Sequence, residues 1–125
     1  MVKRSVLLIE DSPDNLQSLC EALSDTGYSV ATMSDPEHAL ASVADWTRQF
    51  HLVIIEETMR GRSGLKLLRE AHARRSGLPV VIVTREGDWN GYARALSEGA
   101  IDYIPHPIDR RALLATVEEA LAQAA

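Results

Sequence analysis

The chain has 125 residues, of which 46% are hydrophobic and 25% are charged, and this composition is typical of a single globular domain. The net charge of −5 and the lack of a Lys- and Arg-rich segment argue against a nucleic-acid-binding surface. No apolar stretch is long enough to span a bilayer, so we expect a cytoplasmic protein that does not contact membranes. We expect one domain over residues 1–125, either a whole protein or a part of a longer one.

The first part of the chain alternates predicted strands and helices. In order, the elements are the strand Ser5–Ile9, a helix from Ser12, the weaker strand Ser29–Met33 and a helix from Asp35. Cys20 falls on the apolar side of the first helix, which predicts a buried, inert thiol. Trp46 lies near the end of the second helix, and we expect it to pack in the core.

The remaining elements continue the alternation. They are the central strand Leu52–Ile55, a helix over about Leu65–Arg75, the strand Pro79–Thr84, a helix capped by Asp88, the strand Ile101–Ile104 and a helix capped by Asp109. The central strand is a short, continuous apolar run, as in strands that are buried on both faces. Five strands and five helices joined by short loops predict an α/β fold of βαβ units with right-handed crossovers and a parallel sheet covered on both sides.

Polar side chains follow the predicted strands at one edge of the sheet. They are Glu10 and Asp11 after the first strand, Glu56 after the third, Thr84 at the end of the fourth and His106 after the fifth. Ligands of open α/β sheets bind beyond the carboxyl ends of the strands, so we expect the functional site there. Three carboxylates at one edge would suit Mg²⁺ or Mn²⁺.

Several short motifs occur in a familiar order. They are Glu10-Asp11, Leu52-Val53-Ile54-Ile55-Glu56, Met59-Arg60-Gly61-Arg62-Ser63-Gly64, Thr84, Gly99-Ala100-Ile101-Asp102-Tyr103 and His106-Pro107. With these motifs the chain resembles, over essentially its whole length, the receiver domain of bacterial two-component response regulators. The resemblance implies a doubly wound, flavodoxin-like fold with a five-stranded sheet of order 2-1-3-4-5, a role in phosphorelay signalling and no enzymatic activity of its own.

The sequence departs from the family at four positions. Glu56 stands where the family has its phosphoacceptor aspartate, and His106 stands where the family has a lysine that contacts the phosphoryl group. Arg60 replaces a proline, and Arg85 follows Thr84 where the family usually has a small residue. The departures therefore concentrate at the phosphorylation site.

These departures predict little or no phosphorylation of Glu56. Its extra methylene moves the carboxylate by about 1.5 Å, and a misplacement of about 1 Å can cost on the order of a hundredfold in rate. The missing lysine removes a fixed cation from the developing charge. His106 would replace that cation only when protonated, a form that the neighbouring carboxylates are expected to favour.

Two roles remain open for Glu56. As a fixed negative charge, it would draw the hydroxyl of Thr84 inward, and the ring of Tyr103 would follow, as the resemblance implies for the phosphorylated family. Alternatively, Arg85, Arg60 or His106 pairs with Glu56 and neutralises the pocket, which the sequence favours slightly.

No cofactor is required by this interpretation. Any Mg²⁺ would bind weakly to Glu10, Asp11, Glu56 and the backbone carbonyl of Thr58.

The leading functional hypothesis is a phosphorylation-independent protein-interaction module. Its contact surface would be the fourth helix, fifth strand and fifth helix, with Trp89, Tyr92 and Tyr103 as aromatic anchors. Core packing is an equally good interpretation of Trp89 and Tyr92. The expected partner is a protein, either a second copy of the chain or a fused effector domain or histidine kinase.

Two other hypotheses compete with this one. A working Mg²⁺-dependent receiver would accept a phosphoryl group on Glu56 or on Glu57, although period-two alternation turns Glu57 toward solvent or a helix. An unrelated small α/β enzyme or nucleotide binder is weakly supported, because Asp11-Ser12-Pro13 stands where a glycine-rich phosphate loop would be needed.

Overall fold

The computed structural model describes residues 3–123 and contains a parallel sheet of five strands. The strands in chain order are β1 Ser5–Ile9, β2 Ser29–Met33, β3 Leu52–Glu56, β4 Thr58–Met59, β5 Arg62–Ser63, β6 Val80–Thr84 and β7 Asp102–Pro105. The main sheet has the order β2-β1-β3-β6-β7, and β4 and β5 form a separate antiparallel hairpin. Counting the five long strands alone, the order is 2-1-3-4-5, which confirms the predicted doubly wound fold.

The helices begin where capping residues predict them to begin. They are α1 Pro13–Ala22, α2 Pro36–Ala41, α3 Val43–Gln49, α4 Gly64–Arg74, α5 Trp89–Ser97 and α6 Arg110–Gln123. Ser12 accepts from the backbone N–H of Asn15 at 3.4 Å, and Asp88 accepts from Gly91 at 2.7 Å. One predicted helix is instead two, since the helical path is interrupted at Ser42. Residues 3–123 therefore contain six helices rather than five.

The core consists of two apolar layers, one on each face of the sheet. Alternate strand residues such as Leu7, Val53 and Ile82 pack on the side of α2 to α5, while their neighbours pack on the side of α1 and α6. Trp46 belongs to the first layer, as expected, and its indole N–H donates to the carbonyl of Ala39 at 2.7 Å. None of the helices between residues 3 and 123 combines the length and apolarity that a membrane crossing requires.

Two local predictions are wrong. Cys20 is exposed rather than buried, because α1 turns Leu19 and Ala22 toward the sheet. A residue next to Leu19 points about 100° further around the helix, which places Cys20 at the solvent side. The last strand begins at Asp102 rather than at Ile101, whose side chain is exposed.

Candidate functional site

The carboxyl ends of four strands bring the predicted site residues to one edge of the sheet. The backbone hydrogen bonding continues one residue past three of these strands. The N–H of Glu10 donates to the carbonyl of Met33 at 3.0 Å, that of Glu57 to Val83 at 2.8 Å, and that of His106 to Thr84 at 2.7 Å. The backbone of the residues that follow these strands is therefore fixed by hydrogen bonds of the same kind as those of the sheet.

A buried cluster of three ionisable side chains, Glu10, Glu56 and His106, lies at this edge and is called the acidic pocket here. His106 Nε2 lies 3.7 Å from Glu10 Oε1 and 3.5 Å from Glu56 Oε2. The His106 side chain is only 8% exposed, and the two glutamates are exposed by 2% or less. All three of these atoms are buried without a hydrogen-bond partner. The predicted convergence of Glu10, Glu56 and His106 is thus confirmed by their positions.

Glu56 is not a simple fixed negative charge. Burial raises the pKa of its carboxyl to about 9, and the neighbouring carboxylate of Glu10 acts in the same direction. Arg85 lowers this pKa and so opposes the shift, whereas Asp11 adds to it. Without a bound cation, this raised pKa favours the protonated carboxyl of Glu56 near neutral pH.

The imidazole of His106 is shifted toward its neutral form. Burial lowers the pKa of His106, and the positive charge of Arg85 lowers it further, while Glu10 raises it. Glu10 favours the protonated ring, as expected, but desolvation outweighs this attraction, so the net shift is toward the neutral form. His106 is accordingly a poor replacement for a permanently charged lysine.

The two candidate arginines do not form an ion pair with Glu56 within residues 3–123. Arg60 Nε lies 4.0 Å from Asp11 Oδ2, so this arginine approaches the other acidic residue of the rim. Arg85 is exposed and acts on the acidic pocket only through its charge. Among the three side chains predicted to neutralise Glu56, His106 is the one in close contact with it.

Glu57 occupies a position that the sequence does not predict. Its Oε1 accepts from Thr84 Oγ1 at 2.9 Å, and both of its carboxylate oxygens accept from the hydroxyl of Tyr103 at 3.0 Å. Burial and the hydrogen bond to Glu57 raise the pKa of Tyr103, which keeps the phenol a donor. Of the two positions expected for Glu57, the solvated one is wrong, whereas the one turned toward a helix agrees with the cavity that Glu57 lines together with Asn90 and Arg94 of α5. Thr84 and Tyr103, called the switch pair here, are bound by Glu57 rather than drawn inward by Glu56.

Two glycines leave the space that the switch pair occupies. A Cβ at Gly91 would overlap Tyr103 Oη and would lie 3.0 Å from Tyr103 Cε1, and a Cβ at Gly87 would lie 2.9 Å from Thr84 Cγ2. A glycine within a helix costs about 1 kcal/mol relative to alanine, so its presence often has a packing reason. A glycine inside the predicted helix at position 91 is therefore a sequence signal for this close contact.

Three aromatic rings connect the switch pair with the protein surface. The ring centroids of Tyr103 and Tyr92 are 6.2 Å apart, and those of Tyr92 and Trp89 are 5.5 Å apart, with the planes nearly parallel. Trp89 is 75% exposed and Tyr92 is 36% exposed, so the core-packing interpretation of these two residues is wrong. The rings border a groove of about 410 Å³ that extends to Thr84 and Pro105.

The hairpin of β4 and β5 packs against the end of β3, beside the acidic pocket. Gly64 N–H donates to the carbonyl of Glu57 at 2.7 Å, and a Cβ at Gly64 would overlap the carbonyl oxygen of Glu56. Thr58 pairs with Ser63 in this hairpin, and its carbonyl as a metal ligand stays a prediction. Only a glycine at position 64 allows the hairpin to pack this closely against the end of β3.

The oxygen atoms of the rim suit a divalent cation. Glu10 Oε1, Asp11 Oδ1 and Glu56 Oε2 are buried and have no partner in the part of the chain that the structure describes. The group whose ligand atoms lie within 4.8 Å of one another consists of Glu10, Glu56 and His106, and it does not include the predicted ligand Asp11. The ligand atoms that lie close together thus belong to two carboxylates and one imidazole, and Asp11 as a metal ligand stays a prediction.

A doubly wound five-stranded sheet with an acidic pocket and a switch pair at its carboxyl edge defines a receiver-type signalling domain. The family model described as the response regulator receiver domain matches residues 6–118. The chain belongs to this family.

Sequence relatives include the C4-dicarboxylate transport transcriptional regulatory protein DctD of Pseudomonas aeruginosa, 36% identical over 117 residues. The DNA-binding transcriptional regulator NtrC of Salmonella typhimurium is 30% identical over 121 residues. The matches cover 93% and 96% of this chain but 25% of each relative, so the chain spans about a quarter of their length.

Solved structures show the same fold. A CheY-like receiver domain protein from Methanospirillum hungatei superimposes with a TM-score of 0.86 at 26% identity, covering 98% of this chain and 97% of that one. NtrX from Brucella abortus superimposes with a TM-score of 0.85 at 30% identity, covering 98% of this chain and 28% of that one.

Proposed function

We propose that this domain is a phosphorylation-independent receiver that acts as a protein-interaction module. The observation that supports it best is the hydrogen bonding of the switch pair to Glu57, since both hydroxyls have an anionic acceptor without any phosphoryl group. In the family that the chain resembles, the phosphoryl group on the aspartate draws the threonine-type hydroxyl inward, and the tyrosine-type ring follows. Glu57, one residue further along the chain, takes over this role.

Three features of the acidic pocket disfavour phosphoryl transfer to Glu56. Its side chain is one methylene longer than that of the family's aspartate, it is 2% exposed, and a buried histidine replaces the lysine that would neutralise the transferred group. Phosphoryl transfer depends on the position of the attacking oxygen and on charge neutralisation, and these substitutions oppose both. The proposed domain therefore needs neither a phosphodonor nor a cofactor.

The interaction surface in this proposal consists of α5, β7 and α6, with Trp89 and Tyr92 as its exposed aromatic residues. A largely exposed Trp stacked on a Tyr is the kind of rigid aromatic anchor that dominates protein interfaces. The proposed partner is a second copy of the chain, or an effector domain or histidine kinase joined to it, since the relatives are much longer than this chain. The domain itself would not contact nucleic acid, and a cytoplasmic location remains the expectation.

The test uses a small phosphodonor on the intact chain. Incubation with acetyl phosphate and Mg²⁺ should give no mass increase, and beryllofluoride with Mg²⁺ should leave the NMR resonances of Thr84 and Tyr103 in place. The double variant Glu56→Asp with His106→Lys is the matched positive control and should gain one phosphoryl group. A phosphoryl group on wild-type Glu56 or Glu57 would refute the proposal and favour a working Mg²⁺-dependent receiver.

A further inference from the structure

The imidazole of His106 has a feature that the other histidines do not share. Of the four histidines in the sequence, His51 Nδ1 bonds with the N–H of Ser5 at 3.0 Å, and His72 Nε2 lies 2.9 Å from the carbonyl of Leu78. His38 is exposed on α2. Within residues 3–123, His106 is the one histidine with a buried ring nitrogen that has no partner. That nitrogen points at two carboxylate oxygens that also lack partners.

We propose that Glu10, Glu56 and His106 bind a divalent transition-metal ion of the zinc type, and that Mg²⁺ binds there more weakly. This site differs from the one expected from the sequence, because its third ligand is the nitrogen of His106 and not an oxygen of Asp11. Imidazole and carboxylate together suit Zn²⁺ and similar ions, whereas Mg²⁺ prefers oxygen ligands alone.

Two of the three distances between the ligand atoms fit a tetrahedral ion, and the third is below 4.8 Å. Two ligands that are each about 2.1 Å from such an ion lie about 3.4 Å apart. His106 Nε2 lies 3.5 Å from Glu56 Oε2 and 3.7 Å from Glu10 Oε1, within a few tenths of an ångström of that separation. Three protein ligands leave a fourth position for water, as is common in sites that are not purely structural.

The charges of the acidic pocket also fit a cation. Two carboxyl groups with unpartnered oxygens lie side by side in a buried space, where an unpaired charge is costly. The nearest arginines do not pair with them, because Arg60 approaches Asp11 and Arg85 is exposed. A bound divalent ion would supply the missing positive charge and satisfy all three ligand atoms at once.

The test is metal binding by the intact chain, first freed of metal with a chelator. Titration with Zn²⁺ in a calorimeter should show one site per chain, at least tenfold tighter than Mg²⁺. Co²⁺ should give the intense visible bands of a tetrahedral complex, and Zn²⁺ should displace it. His106→Asn should weaken Zn²⁺ binding by at least tenfold, whereas His38→Asn, the matched surface control, should bind like the wild type.

NMR of the wild-type protein tests the proposal even if His106→Asn does not fold. On Zn²⁺ addition to the wild type, the ¹⁵N resonance of His106 Nε2 should shift by more than those of His38, His51 and His72. Equal binding by His106→Asn, loss of binding in His38→Asn, or an unmoved His106 resonance would each overturn the proposal. The proposal does not depend on the role of Glu57, because phosphorylation assays and Zn²⁺ titrations have separate outcomes.

Discussion

The hydroxyl of Tyr103 donates to both carboxylate oxygens of Glu57, 46 residues earlier in the chain, at 3.0 Å each. The same carboxylate accepts from Thr84, so one side chain at the end of β3 binds β6 and β7 together. This contact fixes the inward position of Tyr103 with groups that belong to the chain itself.

The first prediction concerns Glu57. Glu57→Ala removes the acceptor of two buried hydroxyls, and hydrogen bonds to charged groups contribute about 1.5–3 kcal/mol each, so the free energy of unfolding should fall by an amount in that range or more. Urea denaturation measures this loss, and ¹⁹F NMR of 3-fluorotyrosine-labelled protein should show Tyr103 in a changed environment. Glu86→Ala, an exposed carboxylate on the next loop, is the control and should change neither.

The second prediction concerns the space beside Tyr103. Gly91→Ala should displace the ring, because the new Cβ would overlap Tyr103 Oη. The free energy of unfolding should therefore fall although alanine is favoured over glycine in a helix by about 1 kcal/mol. Gly77→Ala provides the matched control, since no atom lies within 4 Å of a Cβ there. Equal stability of the two variants would contradict the inward ring.

The third prediction is a pH dependence of stability in the presence of a chelator. The pKa of Glu56 rises from an ordinary 4.5 to about 9 on folding, so the folded protein binds this proton more tightly than the unfolded chain. Its contribution is fully present below the unfolded pKa and is lost as the pH rises through the folded pKa. From about pH 7, above the ordinary range of histidine, to about 9, the free energy of unfolding should decrease.

The variant Glu56→Gln cannot ionise and should give a flatter pH profile in the same denaturation series. Glu70→Gln, on the exposed side of α4, should retain the wild-type slope. A wild-type stability that increases over this pH interval would show that Glu56 is ionised in the folded protein.

The fourth prediction compares the contributions of the two tryptophans to stability. Trp89 is 75% exposed, so Trp89→Ala should change the free energy of unfolding by about 0.5 kcal/mol or less. Trp46 is buried and hydrogen-bonded, so Trp46→Ala should cost about 3–5 kcal/mol. If the chain self-associates through α5, analytical ultracentrifugation should show that Trp89→Ala weakens the dimer. An unchanged dimer in that variant would exclude Trp89 from the interface.

The fifth prediction follows from the exposure of Cys20. In the folded protein without denaturant, the thiol should react completely with a disulfide reagent such as DTNB, because α1 places it at the solvent side. Absorbance of the released thiolate measures the reaction. A thiol that reacts only after addition of urea would show that Cys20 is protected.

The fold was predictable because its signals are local. The apolar run Leu52–Ile55, the caps Ser12 and Asp88 and the alternation of elements all lie within short windows of sequence. The interruption at Ser42 was not predictable from hydrophobic periodicity, because the apolar spacing continues across it. The error at Cys20 has a similar origin, since a residue at the border of an apolar face is buried or exposed according to how the helix is rotated on the sheet.

The site was predictable only in part. Glu10, Glu56 and His106 meet because the carboxyl ends of parallel strands share one edge, which follows from topology. The role of Glu57 was not accessible, because its partners lie 27 and 46 residues away and depend on side-chain directions. The raised pKa of Glu56 was not predictable for a related reason: it depends on burial and on contact with Glu10, which the sequence does not specify.

The bond between Glu57 and Tyr103 has a consequence for how such a domain would be regulated in a cell. A carboxylate that is encoded by the gene is neither added by a kinase nor hydrolysed by a phosphatase. It is therefore present at all times, whether or not a stimulus has occurred. The amount of complex with a partner would then follow the rate at which the protein is synthesised and degraded. Such a domain would then be regulated through the expression of its gene and not through its phosphorylation.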